Sequence, residues 1–255
     1  MAALKIVILI VAALATSALS GMLGMAGGIL LLAIMFSVMD DATEVIPLHG
    51  AVQLVSNGTR ALAFLPHVDF RTVVRFTLGT LPGIVIGYFL LQKFGKSPEA
   101  QPYLRMLIGA YILIATFLPK PKKAEQSRMT WYDFPLLGFV TGAAALLVGA
   151  TGPLIAPLFA RRDFVKERLV ATKAMCQMVT HVEKLIVFGL IGIDFGRFGP
   201  ILAAMIVAVI IGTYLGRAMI RKLSPELFVT LFKVALTLAG LKVLLIDGVW
   251  PLVKG

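Results

Sequence analysis

The amino-acid sequence predicts an all-α polytopic membrane protein, and three observations support this fold class. First, 59% of the 255 residues are hydrophobic and the mean hydropathy is +0.93, whereas a soluble domain is usually about half apolar. Second, the apolar residues form runs of about 20, the length of a helix that crosses a bilayer. Third, a series of glycines, prolines and acidic residues occurs twice in the same order, which predicts two homologous halves.

The repeat consists of four short matches whose offsets drift only slightly along the chain. Chance similarity between apolar helices would not keep glycines, prolines and acidic turns in register. We therefore predict homologous halves at 1–119 and 131–255, joined by a charged, proline-containing linker at 120–130. The matching segments are Gly24-Met25-Ala26-Gly27-Gly28 with Gly149-Ala150-Thr151-Gly152-Pro153, Val68-Asp69-Phe70 with Ile193-Asp194-Phe195, Gly83 and Gly87 with Gly212 and Gly216, and Ser97-Pro98-Glu99 with Ser224-Pro225-Glu226.

Each half is predicted to contain the same elements in the same order. A first apolar stretch, at 4–20 and 131–148, leads through a glycine-rich break into a short apolar segment at 28–38 and 153–160. Three longer membrane spans then follow in each half. Their predicted bounds are 43–65, 71–93 and 102–118 in the first half, and 166–190, 197–221 and 225–246 in the second.

The first stretch has features of a secretory signal peptide, with Lys5 before an apolar run and small residues near Ala18. Its counterpart in the second half cannot be a signal peptide, because it lies in the middle of the chain. We therefore expect the first stretch to be part of the fold.

The first element of each half decides the topology. A continuous helix over 4–38 would be about 50 Å long, too long for one unkinked span. If this element crossed once, the halves would be parallel and the basic residues would divide evenly between the two sides. If it returned as a hairpin, the halves would be inverted, with three full crossings each, and one side would collect most of the lysines and arginines. The positive-inside rule favours this inverted arrangement in an inner membrane, with the basic side cytoplasmic.

The second long span of each half carries a stripe of polar residues. Four polar positions coincide between the halves, and they are separated by steps of four, four and three residues. At about 100° per residue these positions share one helix face. Polar groups at bilayer depth are costly, so such a face should line a protein interior or a water-filled cavity, and inverted halves would let the two stripes face each other. The coinciding pairs are His49 with Lys173, Gln53 with Gln177, Asn57 with His181, and Arg60 with Lys184.

The chemistry of these stripes favours an anionic ligand. Lysine and arginine side chains only donate hydrogen bonds, and the amide side chains offer an NH₂ group. Lys173 is the sharpest candidate, because no carboxylate lies on its stripe and Glu183, which directly precedes Lys184, is expected to face elsewhere. The predicted binding side chains are Gln53, Asn57, Lys173, Gln177 and His181.

The glycine-rich breaks add backbone donors to this predicted site. A helix that begins after Gly27-Gly28, or after Gly152-Pro153, would present free N–H groups and the positive end of its dipole to an anion. Thr151 would add a hydroxyl group, and Pro153 suits a first helical turn because it has no N–H. These five residues complete the predicted binding set.

Structural roles are the alternatives for several of these residues. Glycines can serve close helix packing, and Gln53 and Gln177 can join helices through hydrogen bonds. His49 and His181 are either ordinary interior histidines or the groups that couple transport to protons.

The basic residues at the ends of the stripes and in the last span are also open to two interpretations. Arg60 and Lys184 are candidates for a gate or a fixed charge, but they lie about 10 Å along the helix from the glutamines and could instead snorkel to the interface. No polar partner is evident for Lys233 or Lys242 in the last span.

The composition disfavours several other classes of protein. The single cysteine, Cys176, excludes an internal disulfide and a multi-cysteine metal site, and the eleven scattered methionines are typical of packing. The net charge of +11 lies mainly in short loops, which indicates orientation in a membrane rather than nucleic-acid binding. The chain lacks the common hydrolase motifs and a catalytic carboxylate pair. We therefore expect no enzyme activity, no catalytic residue, no metal and no cofactor.

The glycine-rich motif and its duplication resemble the TauE/SafE family of sulfite exporter-like permeases over almost the whole chain. The motif is Gly21-Met22-Leu23-Gly24-Met25-Ala26-Gly27-Gly28, with Gly149-Ala150-Thr151-Gly152-Pro153 as its partner. The chain departs from the usual glycine triplet at Ala26, Thr151 and Pro153, which bears on the substrate more than on the fold. The resemblance implies export of a small sulfur oxyanion such as sulfite, sulfoacetate or another organosulfonate.

The residues and the resemblance together predict a secondary transporter that works by alternating access, as a monomer or a homodimer. The alternatives are an anion channel, a transporter of a different small anion such as a carboxylate, a metal or cation transporter, and an integral-membrane enzyme.

Overall fold

The computed structural model describes residues 3–23, 27–39, 41–95, 98–117, 130–161, 166–219 and 225–254. Within these ranges the chain is helical and contains no β-strand. The helices of the first half are α1 (Ala3–Leu23), α2 (Gly27–Val38), α3 (Ala42–Ala63), α4 (Phe70–Leu90) and α5 (Gln101–Phe117). Those of the second half are α6 (Asp133–Val148), α7 (Gly152–Arg161), α8 (Lys166–Leu190), α9 (Gly199–Met219), α10 (Pro225–Leu241) and α11 (Trp250–Lys254).

Every predicted element is present within a few residues of its predicted bounds. A π-helical segment, Lys242–Val249, joins α10 to α11, so the last span continues past its predicted end. The predicted linker at 120–130 lies outside the described residues except for Thr130, and Gly24 and Ala26 of the first break also lie outside them.

The helices begin and end at residues that satisfy their free backbone groups. Asp41 caps α3 by accepting from the Thr43 N–H (2.8 Å), and Asp69 caps α4 through Thr72. Asp194, which matches Asp69 in the repeat, likewise accepts from backbone N–H groups just before α9. Gly149 ends α6 with a φ of +83°, a conformation that glycine adopts without strain.

Four helical segments among the described residues are long and apolar enough to cross a membrane. The stripe-bearing helices α3 and α8 are 22 and 25 residues long, or roughly 33 and 38 Å, which also spans a bilayer core. Their polar stripes lower their hydropathy, and this is why they do not stand out as spans by composition. The four apolar segments are Ala3–Ser20, Phe70–Phe94, Gly196–Gly216 and Leu236–Lys254.

Close contacts at glycines hold α4 against α6 and α1 against α9. A Cβ atom at Gly83 would collide with the carbonyl oxygen of Phe139, and one at Gly212 would collide with that of Leu14. Phe139 follows Leu14 at the same offset that relates the two glycine-rich breaks. The two interfaces therefore use residues that the sequence repeat pairs with each other. Two further glycines repeat the arrangement one turn on, Gly87 against Ala143 and Gly216 against Ala18.

Contacts between the halves also fix the relative directions of the helices. Gly50, near the start of α3, faces Lys184 in the second half of α8. The amide of Asp69, which follows α3, donates to the hydroxyl of Thr172 near the start of α8 (2.9 Å). Therefore α3 and α8 run antiparallel, whereas the glycine contacts make α1 parallel to α9 and α4 parallel to α6.

The short helix α2 lies in the interior of the molecule. Eight of its twelve residues are buried, and it packs against α1, α3 and α10. Because α2 is enclosed, its first residues, Gly27 and Gly28, are placed inside the protein rather than at its surface.

The last span contains an ion pair that the sequence analysis did not find. The Lys242 ammonium lies 2.9 Å from the Asp247 carboxylate, and the Arg105 guanidinium of α5 lies 4.0 Å from the same carboxylate. Lys242 and Asp247 are five residues apart, a spacing that a π-helix brings onto one face. Lys233 is exposed.

Candidate functional site

The polar stripes of α3 and α8 meet in the interior, between the two halves of the chain. The rings of His49 and His181 lie edge to face, with their centroids 6.3 Å apart. All four stripe residues of α3 are buried, as are the stripe residues of α8 apart from the half-buried Gln177. The prediction that the two stripes face each other is confirmed.

The two glutamines lie beside the two helices that begin after the glycine-rich breaks. A Cβ atom at Gly28 would lie 3.1 Å from Oε1 of Gln53, and one at Gly152 would lie 3.2 Å from Nε2 of Gln177. The hydroxyl of Thr151, just before α7, is buried and has no hydrogen-bond partner among the described residues. Each glutamine side chain therefore lies beside the start of a helix that follows a glycine-rich break, at positions that match in the sequence repeat.

Gly27 and Pro153 are the remaining residues of the predicted helix starts. A Cβ atom at Gly27, the first residue of α2, would collide with the carbonyl oxygen of Thr16 in α1, so close packing requires glycine there. Pro153 is the second residue of α7, in the first helical turn, as predicted. Their contribution to ligand binding stays a prediction.

The two buried histidines keep one ring nitrogen each without a partner. Nε2 of His49 donates to the carbonyl oxygen of Gly28 (2.8 Å), because a carbonyl can only accept. Nδ1 of His49 and Nδ1 of His181 are both shielded from solvent, with no hydrogen-bond partner among the described residues. Two unsatisfied nitrogens in the interior indicate a place that a ligand or water occupies.

Arg60 does not snorkel, because it is held in the interior by neutral partners. Its side chain is 7% exposed. The guanidinium donates to the Ser20 hydroxyl of α1 (2.9 Å), the Asn57 side-chain oxygen (2.9 Å), and the Ser56 carbonyl (3.2 Å) and hydroxyl (3.3 Å). The snorkelling alternative is therefore wrong for Arg60.

Lys184 is also buried, and the same alternative is wrong for it. Its ammonium donates to the carbonyl oxygen of Gly149 (2.8 Å), the residue that ends α6. A cation at the C-terminal end of a helix is favoured by the helix dipole. The phenol of Tyr111 binds the next carbonyl, that of Ala150 (2.6 Å), so two side chains hold the break between α6 and α7.

Lys173 is buried like Arg60 and Lys184, but within the described part of the chain it lacks the hydrogen-bond partners that hold those two side chains. It is 3% exposed, yet its ammonium makes no hydrogen bond or ion pair among the described residues. Glu183 does not compensate it, because the carboxylate faces α4 and accepts from the Thr80 hydroxyl (2.7 Å). This confirms the expectation that Glu183 faces away from the stripe.

Sequence reasoning missed several residues that shape the site. Ser56 lies one helical turn before Arg60, so its position on the stripe was a usable signal. Ser20 and Tyr111 come from distant helices, and nothing in their local sequence marks them.

These features define a polytopic membrane protein with a donor-lined interior site. No group of three or more His, Cys, Asp or Glu side chains that could hold a metal is present in the described part of the chain.

The chain belongs to the family described as Sulfite exporter TauE/SafE, which matches residues 8–243. A curated relative, the probable sulfite/organosulfonate exporter TauE of Cupriavidus necator, is 26% identical over 181 residues, which cover 68% of this chain and 69% of the relative. No solved structure matches the chain. The family consists of transporters rather than enzymes, and the chain is a multi-pass protein of the inner membrane.

Proposed function

We propose that this chain is a secondary transporter that exports a small sulfur oxyanion, such as sulfite, sulfoacetate or another organosulfonate. The observation that carries the proposal is the buried Lys173 side chain on a donor-rich stripe, whose ammonium has no hydrogen-bond or ion-pair partner among the described residues. A charge inside a membrane protein is costly unless a partner of opposite charge is available. An anionic substrate would be that partner, and the family relationship supports a sulfur oxyanion.

The helix directions support two inverted halves, 1–119 and 131–255. The corresponding helices α3 and α8 are antiparallel, and the pairing of α1 with α9 corresponds to that of α6 with α4. Inverted repeats with broken helices bind substrate near the membrane midplane and expose the site to each side in turn. We propose that one half moves against the other around the α3–α8 interface.

Each side chain of the site has a distinct proposed role. Lys173 supplies positive charge, and the side chains of Gln53, Gln177 and His181 supply directed hydrogen bonds. Asn57, whose amide donates to the Gln53 carbonyl (3.0 Å), contributes to binding by orienting Arg60 through its side-chain oxygen. The starts of α2 and α7 supply backbone N–H groups, with help from the unpartnered Thr151 hydroxyl. His49 and His181 are proposed to couple transport to protons, and Arg60 and Lys184 to act as gate or fixed charge.

A thermal-shift screen of the detergent-purified chain tests the proposal. The panel contains sulfite, sulfate, sulfoacetate, taurine, acetate and divalent metals. A ligand that binds only the folded state raises the melting temperature as its concentration rises. We expect a sulfur oxyanion to stabilise the wild type, and we expect the Lys173→Met variant to lose this effect while remaining folded.

Other results would redirect the assignment. Stabilisation by acetate alone would indicate a carboxylate transporter. Stabilisation by metals without any anion effect would overturn the proposal. A conductance far above carrier turnover in planar bilayers would indicate a channel.

A further inference from the structure

Two cations of opposite stripes lie at the same level of the site. Because α3 and α8 are antiparallel, Gly58 of α3 faces Met178 of α8, and the amide of Asp69 reaches Thr172. Position 60 therefore faces the part of α8 between 172 and 178, which contains Lys173. Two like charges at one level of a buried, low-dielectric interface repel each other.

The one carboxylate that the described contacts place at this end of α8, that of Asp69, is already paired with the Arg168 guanidinium (3.0 Å). The four groups that accept from Arg60 are carbonyl, hydroxyl and amide oxygens, all of them neutral. They hold the guanidinium in place without cancelling its charge. Among the residues that the structure describes, none accepts a hydrogen bond from the Lys173 side chain. Two buried and uncompensated cations are strongly unfavourable unless a ligand brings negative charge to them.

The opposite end of the stripes, at His49 and Lys184, has no such pair of uncompensated cations within the described ranges. Its residues nevertheless match Lys173 and Arg60 in the sequence repeat. Lys184, which matches Arg60, donates to the carbonyl oxygen of Gly149. His49, which matches Lys173, donates to that of Gly28. The donors at that end are already engaged by the backbone, so the ligand charge is better accommodated at the end of Arg60 and Lys173.

We propose that Arg60 and Lys173 together form a dianion-binding site, and that this site makes the transporter prefer a doubly charged oxyanion over a monoanion or a zwitterion. This inference rests on the proposed anion transport and specifies the charge class of its substrate. Gln177 lies one turn, or about 6 Å, beyond Lys173 on the same face. A dianion whose two charged groups are a few ångströms apart can therefore reach the cations and the amides together.

The test is a titration of the detergent-purified full-length chain with three ligands that differ in charge. The ligands are sulfoacetate (dianion), methanesulfonate (monoanion) and taurine (zwitterion). Wild type should bind sulfoacetate at least about tenfold more tightly than methanesulfonate, and taurine least tightly, since each missing charge weakens the attraction in a low-dielectric site. Lys173→Gln and Arg60→Gln should each lose most of this preference, whereas Lys233→Gln, at an exposed lysine of α10, should keep it.

Arg60→Lys provides a second test that keeps the charge if Arg60→Gln fails to fold. This variant should retain the preference for the dianion. Equal binding of methanesulfonate and sulfoacetate by the wild type would refute the proposed dianion-binding site but not the proposed anion transport. The same conclusion would follow if the preference survived in Lys173→Gln. Binding of none of the anions would instead remove the proposed function itself.

Discussion

Replacement of Gly83 by alanine tests the close packing of α4 on α6. A Cβ atom at this position would collide with the carbonyl oxygen of Phe139, and it would also lie 3.0 Å from the Phe139 Cα. An ordinary van der Waals contact is roughly 3.5 Å or longer, so the two helices would have to separate. Overpacking of this kind costs about 1–3 kcal/mol. Because Gly212 faces Leu14 in the corresponding way, Gly212→Ala should be destabilised to a similar extent.

Thermal unfolding in detergent measures this effect, and Gly189→Ala in α8 is the matched control. No atom lies within 4 Å of a Cβ at Gly189, so the change should be neutral or should stabilise by up to about 1 kcal/mol through helix propensity. Both packing variants should melt several degrees below the wild type. A Gly83→Ala protein as stable as the Gly189→Ala protein would refute the packing described for α4 and α6.

Three further predictions follow from single contacts. Tyr111→Phe removes the hydrogen bond to Ala150 (2.6 Å) and should lower the free energy of unfolding by about 1 kcal/mol, measured against wild type in denaturant. Asp69→Ala should lower the melting temperature more than Asp69→Asn, because asparagine can still cap α4. A cap contributes about 1 kcal/mol to stability. Equal losses in the two variants would argue against the cap. A Cβ at Gly58 would lie 3.6 Å from Sδ of Met178, so a Gly58→Cys/Met178→Cys pair should cross-link α3 to α8 and stop transport until it is reduced. Full transport in the cross-linked protein would contradict movement at this interface.

Most of the helices could be predicted from the sequence because membrane spans leave a strong local signal. Run length and the glycine and proline breaks were sufficient for α8, whose predicted bounds and observed bounds coincide. The π-helical segment Lys242–Val249 was not predictable from a helical period of 3.6, because the spacing of Lys242 and Asp247 has meaning only in a π-helix. It also depends on tight contacts with α5, where a Cβ at Gly248 would lie 2.6 Å from Met106.

The polar stripes could be predicted because the repeat doubled a signal that would have been weak in one helix. The burial of Arg60 and Lys184 could not be predicted, because it depends on which helices surround them. Arg60 is held partly by Ser20, forty residues away, and Lys184 by the carbonyl oxygen of Gly149. Contacts of this kind follow from the packing of α1, α3, α6 and α8, which local sequence does not specify.

Efflux from proteoliposomes is the most direct test of anion transport through the α3–α8 site. Vesicles loaded with labelled sulfoacetate would carry the wild type, Lys173→Met or the exposed-lysine control Lys233→Met. We predict rapid efflux with the wild type and the control, and efflux at the rate of protein-free vesicles with Lys173→Met. Equal efflux through all three proteins would contradict the role of Lys173, and no efflux of any sulfur oxyanion through the wild type would contradict the proposed function.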